Sequence, residues 1–252
     1  YAIQSWGDTL RLLVELSATA AFALSGLMEA ARKRRWTRPG IGLVAGAAGV
    51  ALLPRIGDPR CLTCGHPFEG ILEGDRACPH CLDLRPAFGR AVCAFRARGP
   101  ARRMVHRIKY ERCPFLADDL AAAAVEDEVF RRHLAGSVLV PVPLHSARRR
   151  DRGYNQAERI ASRLATLVAG CRAETLLRKQ HETVSQTRLG RQERRKNVAG
   201  AFVLADGKSV DPSVRYVVID DVLTTGATLH ACAVALRKAG AECVDAAALC
   251  HG

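Results

Sequence analysis

The chain has 252 residues, a net charge of +13 and a hydrophobic fraction of 48%. This length allows one large domain, or a domain of about 150 residues with a smaller attachment. The hydrophobic fraction is ordinary for a globular protein and argues against disorder over most of the chain. The positive charge favours polyanionic partners, namely nucleic acid, an acidic membrane surface or phosphorylated small molecules, without choosing between them.

The first segment, residues 1–58, is predicted to be an apolar helical leader. Leu12–Met28 is nearly apolar apart from Glu15, and a basic cluster at 32–35 follows it. A membrane-spanning helix needs about 20 apolar residues, so this stretch can span only if Glu15 lies near an interface. Two interpretations stay open: membrane association through residues 12–28, and an amphipathic helix packed on the soluble body.

Part of this leader resembles a membrane protein. Val14–Arg34, which reads VELSATAAFALSGLMEAARKR, is similar to the first helix of a bacterial family related to trimeric cation channels and proposed glycine transporters. None of that family's later helices follows in the sequence. Because one helix cannot form such a channel, the resemblance implies no transport function, and a fusion segment is a further interpretation.

Residues 59–90 contain two C-x-x-C pairs, Cys61 with Cys64 and Cys78 with Cys81, separated by 13 residues. Each pair places two thiolates at a tight turn where both can face one ion, and two such turns complete a tetrahedral sulfur site. The spacing is slightly shorter than the about 15–20 residues of zinc ribbons. We therefore predict a structural Zn²⁺ site, because a closed four-sulfur site leaves no open position for catalysis.

The residues around these pairs support a zinc knuckle in a reducing compartment. Gly65 follows the first pair, where a turn needs a residue that tolerates positive φ. His66 and His80 are alternative ligands, but with four thiolates present we expect them to be exposed neighbours. The other six of the ten cysteines, such as Cys232 and Cys243, lie among apolar residues and are predicted to be small buried hydrophobes.

After the ribbon, residues 91–252 show an α/β pattern. Apolar runs predict strands, and stretches of helical period predict helices, in alternation. These elements are Val138–Val142, the helix Asn155–Val168, Tyr216–Asp220, the helix Thr225–Ala239, and Cys243–Leu249. Alternating strands and helices predict a mostly parallel sheet flanked by helices, with ligands beyond the carboxyl ends of the strands.

Candidate site residues follow the Tyr216–Asp220 strand, in the sequence DDVLTTGAT of Asp220–Thr228. Two carboxylates at a strand end can accept hydrogen bonds from vicinal hydroxyls or help to hold a hydrated cation. The small and hydroxylated residues after them, leading into a helix, can bind a phosphate through backbone N–H groups. The pattern therefore predicts a ribose 5-phosphate site; the alternative is an ordinary capped turn between a strand and a helix.

The segment VVIDDVLTTGAT, Val217–Thr228, closely resembles the phosphoribosyl pyrophosphate signature of type I phosphoribosyltransferases. Three further segments make the chain similar to the ComF family, which is named for DNA uptake in competent bacteria: Ile108–Tyr110, Pro141–Ala161 and Arg178–Phe202. A four-cysteine ribbon before them belongs to the same family pattern. The resemblance covers about residues 52–252 and implies a phosphoribosyltransferase-like fold.

The resemblance also implies a role for each matching residue. Asp220 and Asp221 meet the ribose hydroxyls, and with Arg191 they are the implied catalytic residues. The 5-phosphate is bound by Thr224, Thr225, Gly226, Ala227 and Thr228. The pyrophosphate side is formed by Lys109, Arg152, Gly153, Tyr154, Asn155 and Gln156. A mobile flap contains Gln186, Arg191, Arg194 and Asn197.

Without the family, some of these segments have simpler interpretations. Arg148–Arg152 is then a solvated basic loop, Arg188–Lys196 a solvated helix face, and Lys109 a surface lysine. With the family, the implied activity is binding of phosphoribosyl pyrophosphate with Mg²⁺ in the cytoplasm, and transfer of the phosphoribosyl group to an acceptor that the sequence does not identify.

A second function hypothesis belongs to a different class. It is a non-catalytic competence factor that uses the ribbon and the basic surface to contact single-stranded DNA. The resemblance implies competence helicase-type proteins as further partners. Aromatic residues make up only 5% of the chain, which counts against a dedicated single-strand binder.

Overall fold

The computed structural model describes residues 52–57, 59–68, 76–180, 193 and 198–252. The chain divides into two units, 1–53 and 54–252, and the fold below is that of the second unit. Apart from 52–57, the predicted leader and its resemblance to a membrane-protein helix lie outside the described residues. In the described part, no helix is long and apolar enough to cross a membrane. The predicted domain boundaries at residues 58 and 90 stay predictions.

A five-stranded, entirely parallel sheet forms the centre of this unit. Its strands in chain order are β1 (Ala91–Arg96), β2 (Val138–Pro141), β3 (Arg172–Ala173), β6 (Arg215–Leu223) and β7 (Cys243–His251). Their order across the sheet is β1-β7-β6-β2-β3. Val217 and Val218 of the central strand β6 are fully buried, as expected for a strand covered on both faces.

Two short strands lie outside this sheet. β4 (Leu177–Lys179) and β5 (Phe202–Leu204) pair antiparallel. The backbone N–H of Gln180 donates to the carbonyl of Ala201 at 2.9 Å, just beyond the pair. The two ends of the intervening chain therefore lie side by side.

Seven helices flank the strands in the described residues. They are α1 (Pro79–Leu84), α2 (Gly99–Tyr110), α3 (Phe115–Ala124), α4 (Glu128–Leu134), α5 (Ser146–Arg152), α6 (Gln156–Leu167) and α7 (Ala227–Lys238). The predicted α/β class, a mostly parallel sheet flanked by helices, is confirmed. The sequence patterns did not predict β1, β3, β4, β5 or α1–α5. In α2, only the apolar residues Ala101, Val105 and Ile108 are buried, and the helix is otherwise strongly basic.

Two predicted boundaries differ from the structure in a way that affects the site. The strand predicted to end at Asp220 continues to Leu223, and the strand predicted to end at Leu249 continues to His251. The two extensions pair with each other, Val222 with Cys250 and Leu223 with His251. Asp220 and Asp221 therefore lie inside β6, where neighbouring side chains point to opposite faces of the sheet.

The prediction that the six scattered cysteines are buried holds for three of them, while Cys113 and Cys171 are only partly buried. Cys93, Cys232 and Cys250 are buried as expected, but Cys243 is exposed. Cys243 is the first residue of β7, and the side chain at the beginning of a strand lies at the rim of the sheet rather than between its layers.

Candidate functional site

The carboxyl ends of β2 and β6 lie side by side and define one edge of the sheet. Pro141 pairs with Ile219, and the backbone N–H of Val142 donates to the carbonyl of Ile219 at 2.9 Å. The chain continues from β2 towards α5 and from β6 into a short loop. In parallel α/β sheets this edge is where ligands bind.

The β6–α7 loop, Thr224–Gly226, leads directly into the helix α7. Gly226 is the N-cap of that helix and has φ +75°, a left-handed conformation that favours glycine. The carbonyl of Gly226 accepts the first helical hydrogen bond from His230 N–H at 2.8 Å. A solvent-open crevice at this turn is lined by Asp220 and residues 222–229. The free N–H groups of a helix N-terminus make such a crevice suited to an anion.

The structure separates the two aspartates that the sequence placed together. Asp220 lines the crevice with the β6–α7 loop, and its Oδ1 accepts a hydrogen bond from Asp221 N–H at 2.9 Å. Asp221 is only 2% exposed, and its Oδ2 lies 2.9 Å from Lys109 Nζ. That contact is a buried ion pair between the ammonium group and the carboxylate.

Burial and repulsion from Asp221 perturb the ionisation of Asp220. Burial, reinforced by the charge of Asp221, raises the pKa of Asp220 to about 8, against the opposing effect of Lys109. Burial lowers the pKa of Lys109, but the charges of Asp221 and Asp220 outweigh it, so that pKa lies above its ordinary value. Lys109 is therefore a cation at neutral pH, and Asp220 is protonated more readily than an ordinary aspartate.

The residues predicted for the pyrophosphate side cluster at the end of β2. Gly153 ends α5 with φ +83°, and Arg152 donates a hydrogen bond to the side-chain oxygen of Gln156. Asn155 Nδ2 donates to the carbonyl of Val142 at 3.0 Å, which ties this segment to the strand. Asn155 therefore lies at the strand end, and the binding roles of all these residues stay predictions.

Tyr154 and Asn155 also have hydrogen-bond partners within the fold. Tyr154 donates from its hydroxyl to the carbonyl of Ile108, the residue before Lys109. The amide oxygen of Asn155 accepts a hydrogen bond from Ala157 N–H at 3.0 Å, as the N-cap of α6. Tyr154 therefore joins α2 to the segment after α5, and Asn155 joins β2 to α6. The four predicted flap residues, Gln186, Arg191, Arg194 and Asn197, lie outside the described residues.

The four paired cysteines come together in a buried cluster. The sulfur atoms of Cys61, Cys64, Cys78 and Cys81 all lie within 4.8 Å of one another. Cys64 Sγ and Cys78 Sγ are 3.6 Å apart, close to the roughly 3.8 Å that separates two thiolates bound tetrahedrally to one zinc ion. Four soft donors at these distances can bind a metal such as Zn²⁺, as the sequence predicted.

The protonation of these thiols depends on their backbone contacts. Burial raises the pKa of Cys61, but N–H groups including that of Cys78, 3.2 Å from its sulfur, bring the pKa down to about 7. The hydrogen bond with Cys81, together with burial, raises the pKa of Cys64. Burial also raises the pKa of Cys78 to about 11. Without a cation the cluster therefore retains protons that metal binding must displace.

Gly65 has the predicted positive φ, but the two histidines beside the cluster are not exposed as predicted. Gly65 has φ +70°, and an added Cβ would lie 3.3 Å from the carbonyl oxygen of Ala91. His66 and His80 are half-buried rather than exposed, because the ring of His66 packs edge-on against His80 and against His251 of β7, with centroids 5.9 and 5.0 Å apart.

Three interactions at this site carried no signal in the sequence. They are the Lys109–Asp221 ion pair, the Tyr154–Ile108 hydrogen bond and the packing of His251 on His66. Each joins elements that are distant along the chain. The Ile108–Tyr110 motif pointed to Lys109 only through the family resemblance.

Comparison with known proteins identifies the type of domain. Residues 150–252 match the model of the phosphoribosyl transferase domain. The chain is 30% identical over 183 residues to competence protein F of Haemophilus influenzae, covering 71% of this chain and 80% of that protein. It is 29% identical over 206 residues to the DNA utilization protein YhgH of Salmonella typhi, covering 80% and 85%. Competence protein ComFC of Streptococcus pneumoniae is 24% identical over 194 residues, covering 72% and 83%.

The raised pKa values of Cys64 and Cys78 predict how the cluster's metal affinity depends on pH. Because both thiols must lose a proton when metal binds, we expect zinc affinity to rise with pH between about 6.5 and 8. Competition against a chromogenic chelator measures it, and one zinc should be bound per chain. Cys64→Ser should lose most of the affinity, whereas Cys243→Ser, an exposed cysteine outside the cluster, should retain it. A pH-independent affinity would contradict the assignment.

The raised pKa of Asp220 predicts a pH-dependent cost to stability. Folded Asp220 keeps its proton up to about pH 8, whereas an ordinary aspartate loses it near 3.8. Between pH 3.8 and about pH 8 the folded state therefore binds more protons than the unfolded state. The free energy of unfolding should fall as pH rises across this range. Asp220→Asn should weaken this fall and raise the free energy of unfolding at pH 8 by about 0.5–2 kcal/mol.

Urea denaturation at pH 5 and pH 8 measures this effect. The matched control is Asp206→Asn, which removes a carboxylate whose side chain is 89% exposed and should leave the pH dependence unchanged. An Asp220→Asn protein with the same pH dependence as the parent would show that this carboxyl titrates normally.

Proposed function

This chain belongs to the ComF family, and from that membership we propose that it binds phosphoribosyl pyrophosphate, or a related ribose phosphate, at the carboxyl edge of β2 and β6. The observation that carries the proposal is the crevice shared by Asp220 and the β6–α7 loop at the N-terminus of α7. One carboxyl group and one helix N-terminus there face the same open space. A pentose with a 5-phosphate requires a hydroxyl acceptor and an anion site in one crevice.

In this proposal the phosphate binds to the backbone N–H groups of the β6–α7 loop and the first turn of α7. Gly226 is buried, and its left-handed φ sets the direction in which the chain enters the helix. The hydroxyls of Thr224 and Thr225 line the same crevice and can donate further hydrogen bonds. The helix N-terminus adds a favourable field for the negative charge.

The carboxylates are suitable for a divalent cation that accompanies the pyrophosphate. Mg²⁺ is usually held by one or two carboxylates together with phosphate oxygens and water. Asp221 is buried, and its Oδ2 already lies 2.9 Å from Lys109 Nζ. Asp220, which lines the crevice, is thus the acid that we expect to approach such an ion, directly or through water. When bound, the ion would neutralise charge on the departing pyrophosphate.

The transfer reaction would break the bond between C1 of the ribose and the pyrophosphate oxygen and form a bond from C1 to a nucleophilic nitrogen. Its transition state should resemble an oxocarbenium ion. The contribution of this chain is to position the ribose and neutralise charge, since no covalent intermediate is needed. Asp220 would orient the ribose hydroxyls, and Lys109 would supply a fixed positive charge next to the acids.

Titration calorimetry with phosphoribosyl pyrophosphate and Mg²⁺ tests the binding step. We expect binding that depends on Mg²⁺ and weakens by about tenfold or more in Asp220→Ala, since one hydrogen bond to a charged group contributes on the order of 1.5–3 kcal/mol. Asp206→Ala, which removes an exposed carboxylate, should bind like the parent chain. Absence of binding at millimolar ligand, in a protein shown to be folded, would refute the proposed function.

The basic surface supports a second candidate function, contact with single-stranded nucleic acid. The helix α5 presents Arg148, Arg149 and Arg150, and none of its residues is buried. Two of the related proteins above are named for competence and one for DNA utilization. Phosphates bound by such arginines release counterions, so this function predicts a strongly salt-dependent affinity.

Fluorescence anisotropy with a labelled oligonucleotide, measured at several salt concentrations, tests this second function. Neutralising Arg148 and Arg150 together to glutamine should reduce the negative slope of log affinity against log salt by about 1–2. The control is the pair Arg131→Gln and Arg132→Gln on α4, which is basic but lies away from α5 in the chain. No binding at low salt, or equal slopes in both double variants, would exclude contact through α5.

A further inference from the structure

The four-cysteine cluster and the β6–α7 loop lie on two sides of one cavity. Cys64 and Cys81 line one side, and Thr224, Thr225 and Gly226 line the other. Two cysteines of the cluster therefore lie close to the whole of the β6–α7 loop. This proximity does not follow from the sequence, where the two segments are more than 140 residues apart.

The segment that follows the four-cysteine cluster packs directly against the β6–α7 loop at Gly226. A methyl group added at Gly226 would lie 3.2 Å from Leu84 Cδ2 and 3.9 Å from Phe88 Cζ. Phe88 is 3% exposed and belongs to the buried core. Leu84 and Phe88 therefore cover the one residue of the loop whose left-handed backbone sets the start of α7.

The position of Leu84 depends on the cluster. Leu84 is the last residue of α1, which begins at Pro79 immediately after Cys78 and contains Cys81 one turn earlier. The backbone N–H of Arg85 closes the helix on the carbonyl of Cys81 at 2.9 Å. A helix of six residues is too short to be stable by itself. A metal ion held by Cys78 and Cys81 would keep this helix, and hence Leu84, in place.

The position of Phe88 is tied to α7 on the other side. The backbone N–H of Ala87 donates to His230 Nδ1 at 3.0 Å. The carbonyl of Ala87 accepts a hydrogen bond from Arg237 Nε at 2.6 Å. His230 and Arg237 both belong to α7, the helix whose N-terminus faces the crevice. The segment Leu84–Phe88 is thus a short connection from the cysteines to the β6–α7 loop and its helix.

We propose that Leu84 and Phe88 are positioning residues, which hold the β6–α7 loop in its ligand-binding geometry and couple ribose phosphate affinity to the metal in the four-cysteine cluster. This inference rests on the proposed function of that loop. Coupling between two sites is reciprocal: if metal tightens ligand binding, ligand must tighten metal binding by the same factor. A factor of about 5–150 is typical of coupled sites.

The test compares Leu84→Ala with Leu82→Ala in the full-length, zinc-loaded chain. Both changes truncate a leucine of α1, but Leu82 is 66% exposed and lies outside the cavity. Two quantities are measured for each protein: the affinity for phosphoribosyl pyrophosphate with Mg²⁺ by calorimetry, and the zinc affinity by chelator competition with and without that ligand. A protein-free titration corrects for zinc bound by the ligand itself.

In the parent chain and in Leu82→Ala, we expect the ligand to raise zinc affinity about tenfold. Leu84→Ala should still bind one zinc ion, since its four cysteines are unchanged, but its ligand affinity should fall several-fold and the ligand should no longer affect zinc affinity. Leu84→Met, which restores apolar volume, should recover the coupling. A structural role alone would change stability in Leu84→Ala without abolishing this reciprocal effect.

The possible failures can be told apart. If the zinc-loaded parent chain binds no phosphoribosyl pyrophosphate, the proposed function is wrong and the coupling with it. If the parent binds the ligand, and Leu84→Ala retains both its affinity and its effect on zinc, the positioning role is wrong while the proposed function stands. Should Leu84→Ala not fold, Phe88→Leu takes its place, and undiminished coupling in that variant overturns the inference.

Discussion

The Lys109–Asp221 ion pair is the interaction on which the candidate site depends. It places a buried carboxylate and a cation side by side at the carboxyl edge of a parallel sheet. Removing Lys109 would leave two acids together in a region of low dielectric, which costs several kcal/mol in comparable cases. Lys109 is carried by α2, and the hydrogen bond from Tyr154 to Ile108 fixes that end of α2 against the segment after α5. The ion pair and this hydrogen bond together join α2, β6 and the segment after α5.

The same arrangement lowers the stability of the fold. Asp220 lies in a position where burial and the neighbouring acid raise its pKa to about 8. A hydrophobic or neutral residue there would make a more stable protein, so stability alone does not account for a carboxyl group at this position. A cation or a sugar hydroxyl that interacts with this carboxyl would offset its poor solvation. Perturbed ionisation of this kind is concentrated at functional sites.

The four-cysteine cluster belongs to the same structural unit as the sheet. The carbonyl of Thr63 accepts a hydrogen bond from Ala91 N–H at 2.6 Å, at the first residue of β1. Gly65 lies against the same strand, and His66 packs on His251 at the end of β7. The cluster therefore packs along one edge of the sheet. A metal ion held there would stabilise the wall of the cavity that lies beneath the β6–α7 loop.

The sequence by itself determined the elements that are strongly patterned. The apolar run of β6 and the amphipathic period of α6 identified a buried parallel sheet with helices, because local side-chain periodicity reports which faces are covered. Cysteine spacing located the metal ligands, since two C-x-x-C turns are local devices. The basic helix α2, with three buried apolar positions, gave no comparable signal.

Only the tertiary structure decided how those elements meet. It assigned Asp220 to the open crevice and Asp221 to the buried pair with Lys109, because β6 continues past both residues and its alternation sends them to opposite faces. It also placed Leu84 and Phe88 against Gly226. Contacts between residues more than 100 positions apart leave no periodicity in one sequence, since they depend on the packing of whole elements rather than on local backbone preference.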